Sequence, residues 1–321
     1  DVAWVYTPLA QPLVKALKPI CLVYDCMDEL SAFRNAPAQL RQREAALMRS
    51  AQLVLTGGPS LYEARRHQNP QVVCLPSAVD SAHYAPSGLD LLSAAAAEAH
   101  RLQGHLSGPL LGFFGVIDER LDVGLVDRIA VTHPEWSIVM AGPVVKIDPA
   151  TLPTRPNIHW LGMQPYGRLP YLLAGWDVAL MPFALNASTR FISPTKTLEY
   201  MAGEKPVVST PVTDVVSLYG DAVEIADSGE AFVRACERVL AESPSARCKR
   251  AIAMLNSVAQ HSWDRSADSV HLLMAQAMVH ARARTPERRT AQRLSQESEQ
   301  TPVSWPTTGI TSAAGAGAWR S

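Results

Sequence analysis

The sequence predicts an α/β protein made of two parallel sheets, each covered by helices on both faces. Three observations carry this. Short apolar runs alternate with helical patterns along nearly the whole chain. The runs are apolar throughout, as strands buried on both faces are. They also fall into a group of four and a group of six, separated by residues 84–108, which hold Pro86, Ser87, Gly88 and the Ala94–Ala97 stretch.

The first group comprises Val2–Tyr6, Ile20–Tyr24, Leu53–Thr56 and Val72–Leu75. The second comprises Leu110–Gly115, Ser137–Gly142, Ile158–Gly162, Val178–Phe183, Pro206–Thr210 and Val223–Ala226. Helical stretches between and after them are Ala38–Arg49, Ser60–His67, Val123–His133, Leu169–Ala174, Pro194–Ala202, Glu230–Glu242, Ser245–Gln260 and Trp263–Ala281. The expected division is 1–105 for a first domain with its linker and 106–261 for a second. A closing helix over 262–284 and a disordered tail over 285–321 follow. Six strands suffice for a doubly wound sheet. The four of the first group, starting directly after Asp1, are expected to be the back part of a truncated one.

Composition removes several function classes. The chain has 321 residues, 47% hydrophobic and 18% charged, which excludes a wholly disordered protein. With 29 basic against 30 acidic residues it lacks the basic excess that phosphate neutralisation on nucleic acid needs. Its five cysteines form no C-x-x-C pair, and its nine histidines no metal spacing, so no metal site is expected and a reducing, cytoplasmic setting fits. No run of 18 apolar residues occurs. G-x-G-x-x-G and G-x-x-x-x-G-K-[ST] are both absent, which withdraws the main support for a nicotinamide dehydrogenase or a P-loop NTPase.

Ligands of open α/β sheets bind beyond the carboxyl ends of the strands, so the chemistry is sought in the strand-to-helix loops. Gly115 ends one strand and Arg120 lies just past it; Ala141-Gly142-Pro143 ends another. The densest segment is 186–210. Ser193 reads as a helix N-cap, Pro194 as the first helical residue and Gly203 as the residue past its end. Lys196 in the first turn and Glu199 three residues on share a face. A helix end with a lysine suits a diphosphate, and the carboxylate suits a ribose diol. A solvated lysine–glutamate pair is the competing reading. Asp25 and Asp28 follow a strand end and could orient a hydroxyl or act as a base, with a turn or cap role for Asp28 equally open. Trp136, Trp160, Trp176 and Trp263 read as core, and Gly57-Gly58 as close-approach residues in a cleft.

Five motifs in order give the sequence a resemblance. Pro194, Lys196, Glu199-Tyr200-Met201-Ala202-Gly203 and Lys205-Pro206-Val207-Val208 resemble the nucleotide-sugar signature of GT-B glycosyltransferases of the family 4 type. Leu75–Asp80 with Tyr84-Ala85-Pro86, Ala174–Pro182, and Ser262-Trp263-Asp264 resemble further landmarks of that family. Tyr24-Asp25-Cys26-Met27-Asp28 is similar to a motif of members that build bacterial surface polysaccharides.

The resemblance, which covers about residues 2–280, implies two Rossmann-like domains facing across a cleft, with transfer of a sugar from a nucleotide-diphosphate donor to a glycan or lipid-linked acceptor. It implies Lys196 and Arg120 on the diphosphate, Glu199 on the ribose, and Gly115, Pro194 and Thr195 around the donor, with no metal or other cofactor. Many members carry a second Glu eight residues before the ribose-binding one; Phe191 stands there. The donor-sugar contact is therefore expected from backbone near Ser188 and Thr189. A nucleotide-sugar epimerase of the same fold and a binding remnant without turnover are the alternatives. Peripheral contact with the inner face of a membrane is an added expectation.

Overall fold

The computed structural model describes residues 1–283, so the expected tail lies outside the described residues. Strands β1 (Val2–Val5), β2 (Cys21–Cys26), β3 (Leu53–Thr56) and β4 (Val72–Cys74) form a parallel sheet in the order β1-β2-β3-β4. Helices α1 (Gln11–Leu17), α2 (Leu40–Ser50) and α3 (Pro59–Arg65) connect them. Then come α4 (Ser81–Tyr84) and α5 (Ala94–Gln103). The second sheet contains β5 (Leu110–Phe114), β6 (Ser137–Ala141), β7 (Ile158–Gly162), β8 (Val178–Met181), β9 (Val207–Ser209) and β10 (Glu224–Ile225), all parallel, ordered β10-β9-β8-β5-β6-β7. Its helices are α6 (Val123–Thr132), α7 (Leu169–Ala174), α8 (Lys196–Ala202), α9 (Thr213–Tyr219) and α10 (Gly229–Leu240), followed by α11 (Pro244–Gln260) and α12 (Trp263–Ala283).

All ten expected strands form, because each is an apolar run that two helical layers can bury. Every residue of β3, β6 and β8 is buried. β8 stops at Met181 because Pro182 has no N–H for the ladder, and Phe183 turns to bridge Leu121 instead. Helix α10 buries Phe232, Val233, Cys236 and Val239, spaced three and four apart on one stripe.

Two segments cross between the sheets. Val79, Tyr84 and Ala99, which follow β4, join the core of the six-stranded unit. There Gln103 is buried, donating to the Leu172 carbonyl at 2.8 Å and accepting from Trp176 Nε1 at 3.1 Å. In the other direction α12 returns to the first sheet, where Ala277 packs with Cys21, Val23, Leu53 and Leu55. Trp136 and Trp176 are core residues, whereas Trp263 is 59% exposed, against the expectation of a core role. Among the described residues no helix is long and apolar enough to cross a membrane.

The second sheet fixes where a ligand can sit. The chain enters at β5, moves outward through β6 and β7, and returns to β8 on the other side of β5. The crossovers diverge between β5 and β8, the switch point at which such sheets open a crevice. Gly115 follows β5, and the loop leading to Lys196 follows β8.

Candidate functional site

Gly115 ends β5 at φ +145°, and a Cβ built there would lie 2.0 Å from Cε of Lys196. Only a residue without a side chain lets the lysine stem lie across this strand end. Gly142, ending β6 at φ +153°, packs on Gly115 itself, with an ideal Cβ 1.7 Å from the Gly115 carbonyl oxygen.

Helix α8 is anchored to β5 by Tyr200. β8 pairs with β5 only at Leu111↔Val178 and Gly112↔Ala179. The Phe114 N–H farther along β5 donates to the Tyr200 hydroxyl at 3.0 Å. Lys196 and Glu199, on the same short helix, are thereby held beside the Gly115 turn. Burial pushes the Lys196 amine below its ordinary pKa; Glu199 pulls it back up and Arg120 pushes it further down. Burial raises Glu199 in turn, while Lys196, Tyr84 and His83 oppose the rise. The two charges therefore sit in a partly desolvated place and act on one another, unlike a solvated helix pair.

Arg120 approaches the same place from the loop after β5. Its Nε and Nη2 form a fork on Asp118, at 3.0 and 2.8 Å, and the Asp118 side chain is 1% exposed. Phe33 of the opposite domain lies under both Arg120, 5.4 Å from the ring centroid, and Lys146, 5.0 Å from it. The Ser188 hydroxyl donates to the Ala32 carbonyl at 3.1 Å, and Arg34 Nη1 to the Lys146 carbonyl at 2.8 Å, so segment 32–34 bridges the cleft.

Several details depart from the sequence reading. Helix α8 begins at Lys196, with Thr195 at the cap position in helical conformation and without a side-chain cap bond. Pro194 and Thr195 contribute carbonyls to its tight first turn, accepting from Thr197 at 3.2 Å and Leu198 at 3.0 Å. Ser193 is not the cap; its hydroxyl faces Asp214 of α9. At the other end Glu204, not Gly203, takes the left-handed conformation, at φ +56°. Bonds from Lys205 N–H to the Tyr200 carbonyl and from Glu204 N–H to the Met201 carbonyl complete a Schellman turn. Gly203 has a different effect: a Cβ there would lie 2.4 Å from Leu173 Cδ2, which would have to shift to admit it.

Ser188 and Thr189 use their backbone N–H groups within their own loop, on Asn186 Oδ1 at 2.8 Å and the Asn186 carbonyl at 3.2 Å. Both N–H groups are thus engaged within the loop itself. Phe191 packs against the first-domain core, with the Arg190 guanidinium 5.0 Å from its ring centroid.

The two aspartates separate. Asp25 on β2 accepts from Trp4 Nε1 at 3.2 Å and lines an apolar cavity of about 650 Å³ beneath α12, with Trp4, Tyr6, Trp263 and Met274. Asp28 instead accepts from the Glu29 N–H at 3.0 Å and stands near Arg120 and Lys146. It caps no helix. Gly57 lines the apolar cavity, while Gly58 packs on Asp214 and Ser193 at the domain contact.

Sequence reasoning missed Lys146, Phe33 and Asp118. The run Asp118-Glu119-Arg120 did offer a signal for the last, as an acidic partner beside a basic residue. Among the described residues no three His, Cys, Asp or Glu come together to hold a metal.

Burial pushes the Asp28 carboxyl up to about 6, against the pull of the Glu29 N–H, Arg120 and Lys146. Between about pH 4 and 6 the folded state therefore holds the proton that the unfolded chain has released, and stability falls as pH rises. Asp28→Asn should remove this slope and stabilise the protein at pH 7 by about 1–3 kcal/mol. Denaturant midpoints across pH 4–8 for both proteins check it; parallel curves would return Asp28 to an ordinary solvated carboxylate.

The architecture and the crevice at β5/β8 define a GT-B fold. Sucrose-phosphate synthase from Thermosynechococcus elongatus superposes with TM-score 0.65 at 15% identity, covering 87% of this chain and 74% of that one. Anabaena Alr3699/HepE, solved with UDP, superposes with TM-score 0.68 at 14% identity over 86% and 79%.

Residues 109–242 match the family described as glycosyl transferases group 1. TuaH of Bacillus subtilis (strain 168), named as a teichuronic acid biosynthesis glycosyltransferase, is 26% identical over 238 residues, 69% of this chain. The matched region spans 59% of that relative's length.

Proposed function

We propose that this chain transfers a sugar from a nucleotide-diphosphate sugar to a glycan or lipid-linked acceptor in cell-surface polysaccharide synthesis. One observation carries the reading. Lys196 lies across Gly115 at the switch point, with Glu199 on the same helix and Arg120 held on Asp118 beside them. Two cations suit the diphosphate and the carboxylate suits the ribose diol. TuaH is named for teichuronic acid biosynthesis, and HepE was solved with UDP and with UDP-glucose, which supports a nucleotide-sugar donor.

In the transfer an acceptor hydroxyl oxygen bonds to the anomeric carbon as the bond from that carbon to the diphosphate oxygen breaks. The nucleoside diphosphate leaves with the bonding pair. Lys196 and Arg120 stabilise the charge that grows on it, without a metal ion. Asp28, on the opposite wall and with its pKa pushed up to about 6, takes the proton of the acceptor hydroxyl.

The test is nucleoside diphosphate binding by calorimetry, together with release of nucleoside diphosphate from UDP-, GDP- and dTDP-sugars. Glu199→Gln should lose about 1–2 kcal/mol of affinity for UDP and much less for 2′-deoxy-UDP, because one ribose hydroxyl is missing there. Equal losses for the two would remove Glu199 from the site. Binding without release from any donor would favour the remnant reading.

A further inference from the structure

Between the domains lies a cavity of about 710 Å³ whose lining includes none of Gly115, Arg120, Lys196 or Glu199. Glu29, Arg41, Glu44 and Arg65 face it from the first domain, and Arg190 and Phe191 from the second. Its two carboxylates are fully occupied. Arg65 Nη2 bridges Glu29 Oε2 and Glu44 Oε2. The Ser31 hydroxyl donates to Glu29 Oε1 at 2.5 Å, and the Tyr24 hydroxyl to Glu44 Oε1 at 3.1 Å.

The cations are not. Arg190 makes no ion pair among the described residues and rests only on the Phe191 ring. Arg41 has a single 3.4 Å bond from Nε to the Ser31 hydroxyl. Arg65 keeps a buried Nε–H without an acceptor. Three arginines against two saturated carboxylates leave an excess of one positive charge, with planar donor forks free on opposite walls. Such forks match a carboxylate or a phosphate, whereas a neutral sugar would leave them unused.

We infer that this cavity holds the acceptor saccharide by an anionic group, a carboxylate or a phosphate, gripped by Arg190 and Arg41. The inference rests on the glycosyl-transfer reading above. The first-domain wall favours acceptor over donor, since the residues assigned to the nucleotide all belong to the second domain.

The full chain, with and without UDP, is titrated calorimetrically with a glucose–glucuronic acid disaccharide, its carboxyl-reduced form, and glucose 6-phosphate. The uronic disaccharide should bind about tenfold more tightly than the reduced one, and the phosphosugar shows whether phosphate serves equally. Arg190→Gln and Arg41→Gln should each erase most of that preference while UDP still binds. Equal affinity for charged and neutral disaccharides, no binding of either charged probe, or a preference that survives both substitutions overturns the inference. Failure of the unsubstituted protein to bind UDP overturns the underlying reading instead, and the titrations without UDP still decide the cavity.

Discussion

Lys196→Met is expected to weaken UDP binding by about 1.5–3 kcal/mol, roughly 10- to 150-fold, while the melting temperature of the ligand-free protein stays level or rises. The two halves have one cause. Burial holds the Lys196 amine below its ordinary pKa, so the charge is kept in the folded protein against desolvation, with Glu199 offsetting part of it. Between that lowered value and the unfolded value of 10.5 the unfolded chain binds the extra proton, and stability rises with pH. Methionine fills the same space beside Gly115 without a charge to desolvate, so that pH slope should vanish. An incoming diphosphate is what makes the charge favourable. Calorimetric titration and thermal melts of the same preparation check both halves. Unchanged affinity with lowered stability would make Lys196 a structural residue and remove the central cation from the proposed site.

Local rules read the strands well and the ends of α8 poorly. Continuous apolar runs such as Leu53–Thr56 and Ser137–Ala141 can only be buried strands at that length, and their pairing follows. Ser193 has the right chemistry for an N-cap, yet Asp214, some twenty residues later, comes to face its hydroxyl. No local rule sees that competitor. Gly203 was legible as a helix-end glycine, but it is the neighbouring Leu173 side chain that crowds the space a Cβ would take, and the left-handed conformation falls on Glu204.

The candidate site divides the same way. Lys196, Glu199 and Gly115 were legible because each belongs to a strand-end loop or to the helix that follows it. Lys146 and Phe33 carry no signal along the chain; they meet only because the two domains close on segment 32–34. Asp25 and Asp28 illustrate how few residues separate two fates. Asp25 is still on β2 beside β1, where Trp4 reaches it, and Asp28 lies two residues past the strand end, where the chain has turned to the cleft.

Trp176→Ala is expected to destabilise the second domain by about 3–5 kcal/mol, the usual range for truncating a large buried aromatic residue. The ring is 1% exposed and lies so close on Gly112 that a Cβ there would sit 2.1 Å from Cε2. It packs 5.8 Å from Phe114 and 6.1 Å from Tyr200, measured between ring centroids. Its Nε1–H is the donor to buried Gln103, so truncation also leaves that amide oxygen unpaired. Because Tyr200 and Phe114 join α8 to β5, the loss should reach the nucleotide site through the folded fraction and not through contact with ligand. UDP at about 100 times its dissociation constant should therefore restore about 2.7 kcal/mol, the same increment as in the unsubstituted protein. Thermal melts with and without UDP measure both quantities. A loss below about 1 kcal/mol would show that the ring is not the packing centre its burial implies. A missing UDP increment would show instead that the cavity left by Trp176 had displaced α8, and with it Lys196 and Glu199.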